Sequence, residues 1–470
     1  MFNTDNFLHQ NPWRLDKSKL VPYCFDRTVW NDLVNNLKDK KPILLYGPRG
    51  GGKTTLLQLV IKHLIVEKEV PQASIFYFNL DDILTRDAFI SVAEVTKFIR
   101  GFAPDTKDRL WILIDEVSRL SENKLDASAF IKELQNEVGE NVKLIMTVSG
   151  RDFSVASLLQ NDKGENEGNV MEVGLFSFKE YLNRMLNPNN IFLPDGDKVP
   201  TKIKPTEERI KALSQMGFAP FLMPALDDYL RFGGYASIVR EYVVEKRPAL
   251  LRELYQGLFS RQIHTKQDRL LQAQDRQLLV EIARLHGNVL NINKLANETK
   301  LNRKTISSFM DDLEESYLIN KVYPYAEDKK AEKGMPMVYL YDNGMRNMLL
   351  DTFTTIDKRP DRKVLLDNML YNELRIIPWV KDIRFWNSET SDVTGFVFRH
   401  GVVENMIAVL YDFPKEKPGR WALVNMARKV KAKKVIILTK DYSEYDTVGP
   451  TKTIYIPVIW TWFVRNILEE

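Results

Sequence analysis

Short apolar runs alternate with helix-spaced segments through the first part of the chain. Ile43-Leu44-Leu45-Tyr46 follows Lys40-Lys41-Pro42, and Ile75–Phe78, Trp111–Ile114 and Leu144–Val148 repeat the form. Each run is too short for a helix and apolar at successive positions, so each predicts a strand buried on both faces. Between them, Leu56, Leu57, Val60, Ile61, Leu64 and Ile65 recur at helical spacing within Thr54–Glu67. Ala88–Phe102 and Ala127–Val138 read the same way. Strands alternating with helices predict a parallel sheet covered on both sides, an α/β fold.

The alternation stops near residue 152. Asn161–Asn169 is polar and contains glycine, and Asn187–Pro205 is a polar, proline-containing insertion; both read as loops. Glu207–Leu285 is mostly helical in pattern. Leu278–Leu285, Ile292–Thr299 and Arg303–Glu315 predict three short helices, and Leu318–Val322 a strand after them, the layout of a winged helix. Val338–Asp342 is strand-like and follows the charged loop Glu327–Lys333. From about residue 360 a second α/β pattern begins. It has a helix (Lys363–Ile376), strands at Ile383–Trp386, Phe396–Arg399 and Met406–Leu410, a helix at Trp421–Val430 and a strand at Lys434–Leu438. The expected domains are 1–205, 206–355 and 356–470, in keeping with a length of 470 residues.

Composition narrows this picture. Apolar residues make up 44% and charged residues 28%, which excludes wholesale disorder and collagen-like repeats. Net charge is +4, from 67 Lys+Arg against 63 Asp+Glu, so there is no uniform basic coat. Cys24 is the only cysteine, which rules out an intramolecular disulfide and a cysteine-based zinc finger. The polar start Met1–Asn6 lacks the apolar core of a secretory signal. The longest apolar stretch, Ile454–Val464, is too short to span a bilayer and contains Pro457. The expectation is a soluble, cytoplasmic chain without a membrane partner.

Gly47-Pro48-Arg49-Gly50-Gly51-Gly52-Lys53-Thr54 fits G-x-x-x-x-G-K-[ST] between a predicted strand and a predicted helix. Glycines let the backbone curl so that successive N–H groups face phosphate oxygens, and the helix N-terminus adds positive potential. Gly47 to Thr55 are therefore the candidate ATP contacts. Lys53 would reach the β- and γ-phosphates and Thr54 would bind Mg²⁺. Asp115-Glu116 closes the apolar strand Trp111–Ile114, where a carboxylate faces the same crevice. Asp115 is the candidate second Mg²⁺ residue and Glu116 the candidate general base. Thr147-Val148-Ser149-Gly150-Arg151 ends the next strand. Ser149 and Thr147 both qualify as the residue that reports the γ-phosphate. Arg151 is a candidate for stabilising transferred phosphoryl charge, in its own subunit or a neighbour's, and reads equally well as a surface ion pair.

These residues resemble the P-loop ATPases of the AAA-like superfamily that carry a winged helix and a C-terminal restriction-endonuclease-like domain of unknown function. The resemblance runs through Leu45–Arg49, Phe78-Asn79-Leu80-Asp81-Asp82 and Leu113–Val117. It continues in Phe176-Ser177-Phe178-Lys179-Glu180-Tyr181-Leu182, Tyr229–Tyr235 and Val338–Gly344. Residues 12–27, with Asn11-Pro12-Trp13 ahead of Phe25-Asp26-Arg27, look like the family's lead-in segment, which often packs near the adenine. Ser118 stands where the family often has glutamine. Thr147-Val148-Ser149-Gly150 departs from its usual Thr-Gly-Ser.

The resemblance implies a helix-turn-helix whose second helix begins with Arg303, Lys304 and Ser307. Asp311, Asp312, Glu314 and Glu315 make its far half acidic, which disfavours DNA there and favours packing or protein contact. It also implies a nuclease-like last domain. A metal-dependent nuclease of that kind needs strand acids and an acid-x-Lys. Asp367 and Asp392 fall near two of the acids, but the acid-x-Lys positions hold Ala408-Val409-Leu410. This domain is expected to be inactive. Its basic strip, residues 415–440, has nine Lys and Arg against Glu416, and suits nucleic acid or simple solvation. Trp421 is expected in the core, with base stacking as the alternative.

The leading expectation is a Mg²⁺-dependent ATPase acting as a nucleotide-driven switch for a protein or nucleic-acid partner, with a homo-oligomer open. The alternatives are an ATP-regulated nucleic-acid-binding or nuclease protein, disfavoured by the missing acid-x-Lys, and a non-hydrolysing scaffold, disfavoured by Glu116.

Overall fold

A computed structural model describes residues 2–21, 27–103, 109–139, 141–151, 159, 168–186, 205–215, 219–258, 273–326, 334–388, 393–413, 417–448 and 450–469. The chain divides into two compact units, Met1–Leu175 with Glu315–Tyr317, and Phe176–Glu314 with Leu318–Glu470.

The first unit contains α1 (Thr4–Gln10), α2 (Trp30–Asn36), β1 (Ile43–Gly47), α3 (Lys53–Val66), β2 (Ile75–Asn79) and α4 (Ile83–Ala88). It continues with α5 (Val92–Phe102), β3 (Leu110–Asp115), α6 (Ala127–Val138), β4 (Val142–Ser149) and β5 (Asn169–Glu172). The strands form one sheet in the order β2-β3-β4-β1-β5, and every pairing is parallel. Successive side chains leave a strand on opposite faces, so strands apolar at every position must be covered twice. Leu44, Phe76, Phe78, Ile112 and Ile114 pack with Val95 and Ile99 of α5 and Phe130 and Leu134 of α6. Their strand neighbours Ile43, Leu45, Tyr77, Leu113 and Ile145 pack with Leu57, Val60, Ile61 and Leu64 of α3.

Three local expectations change. The segment 88–102 is not one helix. Phe89 is buried, and Ser91 starts α5 afresh by accepting the Glu94 N–H at 3.3 Å. The sheet also does not end with β4, because β5 adds beside β1 with Ile43 opposite Asn169. Finally, the lead-in residues Asn11 and Trp13, expected near an adenine, pack against α3 and edge strand β2. Trp13 is buried with α3, and the Asn11 amide takes the Tyr77 N–H and donates to the Tyr77 carbonyl at 3.0 and 2.9 Å. Gln10 takes the Asn79 N–H at 3.0 Å. Side chains thus satisfy the outer backbone groups of edge strand β2. Phe25 and Asp26 lie outside the described residues.

The second unit begins with α7 (Phe178–Leu186), α8 (Glu207–Ala212), α9 (Ala219–Phe232), α10 (Ala236–Arg240), α11 (Arg247–Leu258) and α12 (Ala273–Arg284). Next come β6 (Asn288–Val289), α13 (Ile292–Thr299), α14 (Arg303–Glu315), β7 (Ile319–Val322) and β8 (Met337–Leu340). β6, β8 and β7 form a three-stranded antiparallel sheet. After α15 (Asn343–Leu349) and α16 (Arg362–Arg375) the chain forms β9 (Val380–Asn387), β10 (Thr394–His400), β11 (Val403–Val409), α17 (Lys417–Lys429) and β12 (Lys434–Thr439). β13 (Glu444–Val448), β14 (Thr451–Pro457) and α18 (Phe463–Glu469) complete it. Here the sheet is six-stranded and mixed, in the order β13-β14-β12-β11-β10-β9. The apolar stretch 454–464 is divided between buried strand β14 and α18. No described helix is long and apolar enough to cross a membrane.

Candidate phosphate crevice

β1, β3 and β4 lie side by side and end at one edge of the parallel sheet, where the crevice of an open α/β sheet forms. Gly47 opens the loop after β1 with φ 149°. A Cβ there would stand 2.2 Å from the Val173 carbonyl oxygen, so the position excludes every larger residue. Gly52, at φ 95°, turns the chain into α3, which has no side-chain cap at its start. α4, α5 and α6 each begin with a capping Asp or Ser.

The loop converges with both acids and both strand-end hydroxyls. Lys53, 4% exposed, donates to the carbonyls of Gly47 and Pro48 at 3.1 and 2.9 Å and to Ser149 Oγ at 2.9 Å. The Thr54 hydroxyl donates to Asp115 Oδ2 at 2.7 Å, and Tyr77 OH donates to the same oxygen at 3.1 Å. Thr147 Oγ1 donates to Asp115 Oδ1 and itself accepts the Glu116 N–H at 2.9 Å. Ser149 serves Glu116: its N–H donates to Oε2 at 3.1 Å and its hydroxyl bonds Oε1. Register with β3 fits the division. Ile114 lies opposite Met146, so Asp115 and Thr147 are the next residues of the two strands, and Ser149 lies two residues further on, toward Glu116. Glu116 itself holds a left-handed backbone, φ 59°, which is costly for a non-glycine and frequent at functional sites.

Burial sets the electrostatics. It holds the Lys53 ammonium below its ordinary pKa, with the Glu116 and Asp115 charges opposing. Burial and then the Glu116 charge raise the Asp115 carboxyl, and the Thr147 and Thr54 hydrogen bonds partly offset them.

Gly50, Gly51 and Thr55 complete the loop into α3. Arg49 pairs with Asp81, which also accepts from Arg119 Nε at 3.0 Å. Arg151 donates its N–H to the Glu315 carbonyl at 2.7 Å and sets its guanidinium 4.4 Å from the Tyr317 ring centre. That is a cation–π contact. Sequence reasoning missed Arg27 and gave Asp81 no role. Arg27, 5% exposed, donates to the carbonyls of Gly51 and Gly174, both at 2.7 Å. The only signal for these two was their place in Phe25-Asp26-Arg27 and Phe78–Asp82, segments quoted without a role.

Residues 39–182 match the AAA domain family. Residues 223–355 match a domain of unknown function (DUF8612). The uncharacterized protein MJ1637 of Methanocaldococcus jannaschii is 25% identical over 353 residues, 71% of this chain and 68% of that protein. The Aeropyrum pernix ORC1 protein, solved in complex with DNA, is 16% identical over 72% of this chain and 96% of its own, with a TM-score of 0.34. The ORC2 protein of the same organism gives 13%, 76%, 98% and 0.38. Scores this low say nothing about activity or partner. The parallel sheet with its phosphate loop is a P-loop NTPase-like α/β fold on the chain's own geometry.

In the last sheet, Ala408, Val409 and Leu410 are each 1% exposed at the end of β11. Asp367 is buried with Lys363 at 2.8 Å, and Asp392 lies outside the described residues. The basic strip is smaller than its composition implies. Lys434 is buried and donates to the Ile467 carbonyl, and Arg420 and Lys440 pair with Asp446 and Asp357. Lys415 and Glu416, and the side chain of Lys417, lie outside the described set. Trp421, expected in the core, is 54% exposed, because α17 turns Leu423, Met426 and Ala427 inward instead. In α14 Arg303 and Lys304 are exposed, and Lys321 of β7 pairs with Asp311 and Glu314 at 2.5 and 3.2 Å.

Proposed function

We propose that the chain is a Mg²⁺-dependent ATPase whose nucleotide state acts as a switch for a protein or nucleic-acid partner. The observation that carries this reading is the joining of Lys53, Ser149 and Glu116 in one hydrogen-bonded chain, beside the Thr54–Asp115 pair. A scaffold that bound nucleotide for stability would have no use for a base held on a strained backbone.

The crevice fits a triphosphate with Mg²⁺. The first-turn N–H groups of α3 have no competing cap and suit phosphate oxygens. A threonine hydroxyl and a carboxylate are hard oxygen donors of the kind Mg²⁺ prefers. Thr54 and Asp115 would hold the ion, which neutralises charge developing on the phosphates. Lys53 would exchange its loop carbonyls for phosphate oxygens. Glu116 would take the proton of the attacking water, and Ser149, bonded to both Lys53 and Glu116, would report the γ-phosphate to the base. Arg151 would stabilise charge on the transferred phosphoryl group, in its own subunit or a neighbour's.

The domain reading is 1–205 for the ATPase, 206–355 for a helical and winged-helix region, and 356–470 for an inactive nuclease-like region, whereas the compact units divide between Leu175 and Phe176. Three helices with the β6-β8-β7 sheet support the winged helix. The order α16-β9-β10-β11-α17-β12 supports the nuclease-like topology.

Two variants test the ATPase reading. Lys53→Ala should lose measurable ATP binding by calorimetry, and unchanged affinity would remove the phosphate-loop assignment. Glu116→Gln should bind ATP like the wild type but lose turnover by about a hundredfold or more. Hydrolysis at the wild-type rate would take Glu116 out of the mechanism.

A further inference from the structure

α17 packs Leu423, Met426 and Ala427 on the six-stranded sheet and leaves Trp421, Asn425, Arg428 and Lys429 exposed. Positions 421, 425 and 428 follow i, i+4, i+7 and so share one face. Among the described tryptophans only Trp421 is exposed, at 54%. This ring is braced from beside. Arg420 pairs with Asp446 at 2.6 Å and sets its guanidinium 5.6 Å from the Trp421 ring centre.

The helix ends in a group of cations. Lys431 donates its N–H to the Arg428 carbonyl at 3.2 Å, and Ala432 donates to Ala427 at 2.8 Å. That closing pattern ordinarily places glycine at the left-handed position. Here Lys431 occupies it, at φ 54°. Glycine would adopt that backbone more cheaply, so the lysine is held there at a cost. Lys452 donates its N–H to the Lys433 carbonyl at 3.0 Å, which brings β14 into the same group. Lys431, Lys433 and Lys452 are all exposed. Carboxylates also sit at this end of the sheet, but arginines hold them. Glu404, whose carbonyl accepts the Lys433 N–H, pairs with Arg399 at 2.8 Å, and Asp382 pairs with Arg384 at 2.6 Å. The lysines therefore add positive potential that these acids do not cancel.

We propose that this face binds single-stranded nucleic acid, with Trp421 stacking on a base and Arg428, Lys431, Lys433 and Lys452 meeting phosphates. An aromatic ring reaches the face of a base only where the strand is unpaired, and aromatic platforms beside basic tracks are how sequence-tolerant single-strand binding works. Seven helical residues separate Trp421 from Arg428 by about 10 Å, roughly three nucleotide rises of a stacked strand. The assignment names the partner left open by the switch reading and rests on that reading only for coupling to ATP. Binding itself requires no nucleotide.

The test uses the full-length, nucleotide-free protein. Fluorescein-labelled single-stranded DNA, single-stranded RNA and a matching duplex are titrated by anisotropy across a salt series. The single strands should bind more tightly than the duplex, and the DNA and RNA arms separate those two sources. Trp421→Ala should weaken binding about tenfold. Lys431→Gly should reduce the log–log salt slope by about 0.7 while the melting temperature holds or rises, because the backbone strain is relieved. That variant separates lost binding from lost folding. Overturning results are absence of strand binding at about 50 mM salt, a preference for duplex, or unchanged affinity and slope in both variants. Lys53→Ala should bind the strand like the wild type, so a failed ATPase reading leaves this measurement intact.

Discussion

Arg27 fixes two backbone carbonyls with one planar group. Gly51 belongs to the phosphate loop and Gly174 follows β5, so a single guanidinium fork sets the loop against the strand that Gly47 already touches. Lysine would keep the charge but not the fork. Arg27→Lys should therefore weaken ATP binding by about tenfold, from the loss of one charge-assisted hydrogen bond, while turnover at saturating ATP stays near wild type. Parallel titrations with a fluorescent ATP analogue and steady-state kinetics check this. A fall in turnover with affinity unchanged would contradict the positioning role. Arg27 also marks where sequence reading stopped. Gly47 to Thr54 is legible because its chemistry lies in consecutive residues. Arg27 meets its partners 24 and 147 positions away, and Arg49 meets Asp81 32 positions away. No local pattern encodes such pairings. Thr147 and Ser149 could be named but not assigned, because only strand register separates them.

At the scale of elements, α7 is capped twice. Ser177 and Glu180 exchange N–H bonds at 2.9 and 3.3 Å, a capping box visible in Phe176–Glu180. The Phe178 N–H then donates to Glu373 Oε1 of α16 at 2.8 Å. Burial pushes the Glu373 pKa up to about 7. The Phe178 hydrogen bond opposes that rise, the Glu180 charge adds to it and Lys179 opposes it. Its ordinary value is 4.5, so between the two values the folded chain holds this proton more tightly than the unfolded chain does. Stability from this group is complete below the lower value and is lost as pH rises through the upper one, on the order of 3 kcal/mol in all. Glu373→Gln keeps an acceptor for Phe178 without the titration. Urea midpoints should match the wild type near pH 4 and exceed it near pH 8. Midpoints that shift in parallel at both pH values would show that Glu373 is not the group responsible. The elements least legible in the sequence share a physical cause. β5 is half-exposed along its length and β13 reads Glu-Tyr-Asp-Thr-Val, so neither has the apolar signature of a strand. Both are edge strands recruited by backbone pairing to β1 and β14. Trp421 was misplaced for a related reason. Aromatic character suggested burial, but the phase of α17, set by Leu423, Met426 and Ala427, turned it to water.

At the scale of the molecule, the phosphate crevice and the last sheet differ in whether their chemistry is present. The crevice joins Lys53 to Glu116 through Ser149, and Thr54 to Asp115, by hydrogen bonds. The last sheet has a helix-strand-strand-strand-helix-strand order that supports a nuclease-like reading, yet at its expected acid-x-Lys positions it presents Ala408, Val409 and Leu410, all buried and apolar. Metal-assisted cleavage needs oxygen ligands for the ion and a group that activates water, and three alkyl side chains supply neither. Asp367 could contribute one oxygen, but its carboxylate already pairs with Lys363 at 2.8 Å. The full-length protein with Mg²⁺ or Mn²⁺ should therefore leave supercoiled plasmid, single-stranded DNA and RNA uncut, with or without ATP, even where it binds them through α17. Incubation followed by denaturing gels reads this directly. Cleavage that disappears in Asp392→Ala but persists in Lys53→Ala would place an active nuclease in the last domain and reverse the assignment. Cleavage that survives both substitutions would point to a contaminating enzyme and leave the alkyl reading of 408–410 standing.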